Sequence, residues 1–131
     1  MFRKILAILI GGVVAVVLVS LIEYLGHRVY PVPQGLDISD SVAMAEYVNS
    51  MPLLAFGFVL ASWAVGTLVG AWVGCLIAGE GFYLIAGIIG ALMLAGSIMT
   101  LVAIPHPLWF SISGVLLVVL MTFAAVRLAS K

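Results

Sequence analysis

Apolar residues along this chain do not alternate with polar ones. They run on in four stretches, at residues 5–29, 52–78, 82–104 and 108–128. Each stretch reaches the roughly 20 residues that a helix needs to cross a hydrocarbon core about 30 Å thick. A membrane β-strand would alternate over about ten residues, and these runs are continuous. Inside lipid the backbone must satisfy its own N–H and C=O groups, so the four stretches are predicted to be helices.

The breaks between the stretches carry stop signals. Pro31 and Pro33 end the first helix, because proline lacks an N–H and turns its predecessor away from helical ψ. Pro52 opens the second at a first-turn position, where a missing N–H costs nothing. Gly79-Glu80-Gly81 and Ile104-Pro105-His106-Pro107 supply short turns before the third and fourth helices. Short turns force antiparallel neighbours, so the expected fold is an all-α, single-domain transmembrane bundle of up-down-up-down order. Pro31-x-Pro33 and Pro105-x-Pro107 follow the first and third helices alike, as a duplicated hairpin would leave them.

One connection is long, at residues 30–51. Asp37 and Asp40 are N-cap candidates for a short helix from about Asp40 to Ser50. Val42, Ala45, Val48 and Met51 recur at helical spacing, which suits either a surface linker helix or one lying on the membrane.

Composition narrows the class. Of the 131 residues, 66% are apolar and only 8% are charged, where a soluble domain has about 25% charged. The mean hydropathy is +1.39. A soluble fold would lack polar residues to cover these runs. Five Lys and Arg against five Asp and Glu build no phosphate-binding face, so nucleic acid is not an expected partner. The expected surroundings are the lipid bilayer.

Charge placement sets an expected orientation. Arg3 and Lys4 precede the first span, Arg127 and Lys131 end the fourth, and Arg28 is alone on the other side. The positive-inside rule then puts both termini in the cytoplasm and the 30–51 loop outside. The apolar core after Met1 exceeds the usual 7–15 residues of a signal peptide, and no small-x-small cleavage site follows, so the first segment is expected to remain as a helix.

Cys75 is the single cysteine and reads as a small packing residue. The second span carries a clearer signal. Ser62, Gly66, Gly70, Gly74 and Ala78 recur every four residues and draw one nearly side-chain-free stripe. Membrane helices associate through close backbone contact, so this stripe marks a packing surface. An internal partner helix competes with a homo-oligomer or another membrane protein. A second stripe of Ala86, Gly90 and Ser97 on the third span favours the internal partner.

The membrane holds few polar residues. Glu23 and His27 stand four apart on one face of the first helix, and Ser20 lies one turn before Glu23. Gly12, Ala15, Val16 and Val19 lie below on that side. Glu23 sits about 18 residues into its span, roughly 27 Å along it, near the outer hydrocarbon edge. His106 lies in the turn at the same level, with Trp109 as an interface anchor. Convergence of Glu23, His27 and His106, with Asp37 or Asp40, is expected on that side.

Three readings of this group compete. In the structural one, Glu23 pairs with Arg28 or His27 and His106 caps a turn. In the second, the carboxylate and histidines handle protons or cations. In the third, Glu23, His27 and His106 ligate a metal, as a Glu and His at i, i+4 with a distant His would allow. No cofactor is implied. Neither HExxH nor GxSxG nor a phosphate-binding glycine loop occurs, so no enzyme activity is expected. Trp63 reads as a bulky packing residue.

The Glu23-x-x-x-His27 pair, the Pro31–Asp37 stretch, the glycine-rich second span and Ile104–Trp109 together resemble a set of small bacterial four-helix membrane proteins without an assigned function. That resemblance implies a multi-pass protein of the bacterial inner membrane. Small multidrug carriers place their membrane glutamate at mid-depth, unlike Glu23. Dual-topology fluoride channels have a weaker charge bias than this chain. The leading expectation is a structural or accessory component of a membrane assembly, acting through helix packing. The alternative is an oligomeric proton- or cation-linked carrier or channel using Glu23, His27 and His106.

Overall fold

The computed structural model describes residues 2–31, 34–37, 39–103 and 106–131. Pro33, Ile104 and Pro105, which the sequence places in the turns, lie outside these. The described residues form five helices: α1 (Phe2–Val29), α2 (Ser41–Ser50), α3 (Leu53–Ala78), α4 (Phe82–Ala103) and α5 (Leu108–Ala129). Four of them, all but α2, are long and apolar enough to cross a membrane. No strand occurs among the described residues.

The helix ends follow from local chemistry. Asp40 caps α2, its carboxylate accepting from the Val42 and Ala43 amides at 3.0 and 3.3 Å. Pro52 and Pro107 sit one position earlier than a first-turn residue, as the extended N-caps of α3 and α5. Gly79 ends α3 in the left-handed region at φ 76°, where its N–H reaches the Cys75 carbonyl. Arg3, in the first turn of α1, donates from Nε to the Ile77 carbonyl. A cation thus closes the negative end of α3 and satisfies a carbonyl that the helix leaves orphaned.

α3 is the hub. It packs against α1, α4 and α5, and α1 touches α4 only lightly. The small-residue stripe of α3 meets α1. A Cβ built on Gly70 would lie 2.6 Å from the Ala15 Cβ and 2.7 Å from the Gly11 carbonyl oxygen. One on Gly66 would lie 2.6 Å from Val19 and 3.0 Å from the Ala15 carbonyl oxygen. Gly74 adds contacts to Ile85 and Ile89 of α4. Such backbone approach supplies the dispersion contacts that hold helices together where lipid removes the hydrophobic drive. The stripe on α4 is divided: Ala86 lies in the buried cluster with Ala71 and Cys75 of α3, whereas Gly90 packs against Thr122 of α5.

Two buried clusters result. Small and aliphatic residues, including Ala7, Ala71, Cys75, Ile85, Ile89 and Ala125, fill the end that holds Arg3. Phe56, Trp63, Phe110, Val118 and Val48 fill the other. The Trp63 ring lies on Gly114, which has no side chain to displace it. α2 turns Met44 and Val48 inward and leaves Val42 exposed, so its apolar face differs from the predicted Val42, Ala45, Val48 and Met51 face. Val48 belongs to the aromatic cluster beneath it.

Candidate functional site

Glu23 is half-buried on the α3-facing side of α1. The residues around it are placed by the small-residue packing below. Gly26 lets α1 approach Phe58, since a Cβ there would come within 2.9 Å of the Phe58 Cβ. That approach brings Glu23 Oε1 to 3.4 Å from the hydroxyl of Ser62, the first residue of the α3 stripe. The same hydroxyl donates to the Val59 carbonyl at 2.6 Å. A hydroxyl carries one proton, so the carboxylate receives the weaker share. His27, one turn on, is exposed and lines the same crevice as the carboxylate.

Glu23 borders two cavities. A crevice of about 30 Å³ lies between it, His27, Tyr30, Tyr47, Met51 and Phe58, with α2 contributing Tyr47. A cleft of about 260 Å³ opens between α1 and α4, lined by Val16, Ser20, Glu23, Trp63, Ser97 and Thr100 among others. Ser97 and Thr100 donate their hydroxyl protons to the Met93 and Gly96 carbonyls, which leaves oxygen lone pairs as their remaining capacity. Neither lining contains a lysine or arginine.

The carboxylate lies inside the lengths of its neighbours. Ser62 is nine residues in from Leu53, about 14 Å at 1.5 Å per residue. Ser97 is six residues in from Ala103, about 9 Å by the same rise. Glu23 itself is six residues in from Val29, about 9 Å by the same rise.

The other predicted residues divide. His27 stays with Glu23. Arg28 is exposed in the last turn of α1 and lines neither cavity. His106 stacks on Phe110, with ring centres 4.8 Å apart and planes 12° from parallel. Phe110 in turn packs at 5.5 Å from Trp63. His106 lines neither cavity that Glu23 borders. Asp40 is committed to the α2 cap. Asp37 accepts from the Ser39 amide and hydroxyl at 3.0 and 2.6 Å, bonds that hold its exposed carboxyl below the usual range. Among the described residues, no group of three or more His, Cys, Asp or Glu comes together to hold a metal ion.

Ser62, Gly66, Gly70, Gly74 and Ala78 are all buried. Their counterparts on α1 are Ala7, Gly11 and Ala15, all buried, of which sequence reasoning singled out Ala15 and missed Ala7 and Gly11. Their own four-residue spacing was the available signal. Compared with known proteins, the chain matches no family model, no curated protein and no solved structure.

Proposed function

We propose that this protein is a non-enzymatic, structural or accessory component of a membrane assembly and works through helix packing. Its four long helices cross the membrane in up-down-up-down order. Both chain ends lie in the cytoplasm, where Arg3, Lys4, Arg127 and Lys131 gather. The bacterial inner membrane is the compartment that the resemblance to small bacterial four-helix proteins favours.

The observation that carries this reading is the one-sided packing of α1. Its small face is closed against α3, while its neighbouring face meets α4 only lightly and leaves an open groove of about 440 Å³. Ile8, Gly12, Val13, Val16, Leu92 and Met93 are among its lining residues. A bundle that served only itself would gain packing contacts by closing that groove. A partner inside the membrane completes it.

One observation favours the second reading, a proton- or cation-linked carrier or channel. Glu23 separates two cavities, as a group that exchanges ions between compartments must. Proteoliposomes holding the purified protein decide between the two. The accessory reading expects proton and cation flux equal to that of empty vesicles. Flux that disappears with Glu23→Gln would establish transport and overturn it.

A further inference from the structure

The proposed accessory role leaves open what fills the α1–α4 groove, and the following rests on that role. We infer that the occupant is a transmembrane helix of a different protein, carrying a lysine or arginine at the level of Glu23.

The groove and the Glu23 cleft are continuous, because Val16, Leu92 and Met93 line both. From Ile8 to Glu23 the joined surface covers 16 residues of α1, about 22 Å from first to last. One leaflet of hydrocarbon is about half of 30 Å deep. A lipid at Glu23 would fill its own leaflet only, and a second lipid from the opposite leaflet would be needed to cover the Ile8 end. A helix fills the whole length. The floor also suits a helix backbone: Gly12 and Gly96 have open space where a Cβ would be, and Val13 and Val16 are the largest α1 residues near the centre.

Charge selects the kind of helix. Glu23 opens onto the groove with the weaker share of the Ser62 hydroxyl, and exposed His27 lies one turn on. Ser97 and Thr100 beside it present acceptor lone pairs. Ser20 and Trp63 in the same lining carry neutral donors, but neither is a cation, and a carboxylate in apolar surroundings asks for a cation. This chain's own basic residues, Arg3, Lys4, Arg28, Arg127 and Lys131, all lie at the ends of the long helices or beyond. A second copy in the same orientation would therefore bring no basic side chain from the interior of a long helix to the level of Glu23.

Photo-crosslinking in native membranes tests this. A photoreactive residue replaces Val13 or Leu92 in the groove, or Leu120 on α5 outside it, and the crosslinked peptide is sequenced. The expected product from the two groove positions is a membrane segment of another protein with a Lys or Arg facing Glu23. Glu23→Gln should cut its yield at least tenfold, and charge exchange between Glu23 and the partner's basic residue should restore it. Gly12→Leu should also abolish it, because the side chain enters open groove space. Gly57→Leu, equally unobstructed but outside the groove, should not. Unchanged melting temperatures confirm that both glycine variants fold. Crosslinks to lipid, to a second copy or to a segment without a basic residue would overturn the inference. So would full yield with Glu23→Gln. If the protein still isolates within a larger complex after such a result, the accessory role stands and only the identity of the groove's occupant fails.

Discussion

At Gly70 a single methyl group would have to share space with Ala15 and with the Gly11 carbonyl oxygen, both on a neighbouring backbone that cannot swing aside. Leu68, two residues earlier, is only half-buried. Overpacking against backbone costs the upper end of about 1–3 kcal/mol or more, whereas trimming a half-buried leucine costs about 1 kcal/mol. Gly70→Leu should therefore lower the melting temperature in detergent at least twice as far as Leu68→Ala. Equal shifts would show that the α1–α3 contact is not close. At this scale the sequence was partly legible. Gly66, Gly70 and Gly74 declare a surface by their spacing, but spacing carries no address. Of Ala86, Gly90 and Ser97 on α4, Ala86 joins α3 in the buried cluster but Gly90 faces Thr122, and α1 meets the α3 glycines through Ala7, Gly11 and Ala15. His106 shows the same gap. Its level follows from the turn, while its direction depends on the Phe110 ring it stacks against.

Among the elements, the long helices were the most legible, because length and continuous apolarity are one-dimensional properties. Their ends moved by a few residues where charged Arg3 and Lys4 join α1 and where proline serves as an N-cap. α2 was harder. Asp40 announced its start, but burial of Met44 and Val48 depends on the aromatic cluster below, which no local pattern reveals. With ten residues, α2 is too short to persist without its cap and its cluster. Loss of an aspartate N-cap costs about 1 kcal/mol. Asp40→Ala should speed hydrogen exchange at the Val42 and Ala43 amides about fivefold and leave α3 amides unchanged. Unchanged exchange at those two amides would mean that the cluster alone holds α2.

For the whole molecule, a net charge of zero conceals two different ends. Four basic residues gather where Arg3 closes α3, and Glu23 lies towards the end that carries α2. Between them α3 organises α4 and α5 on one side and α1 on the other, and α1 keeps an open groove ending in a carboxylate. The sequence indicated the charge polarity. It could not indicate the groove, which exists because α1 joins the bundle through one face only. If another polypeptide completes this surface, it travels with the chain, and the mass of the intact particle, released from native membranes with its lipids and measured by native mass spectrometry, reveals it. The expected particle holds this chain in fixed ratio with a different polypeptide. A particle containing this chain alone, as monomer or as oligomer, would contradict the accessory role.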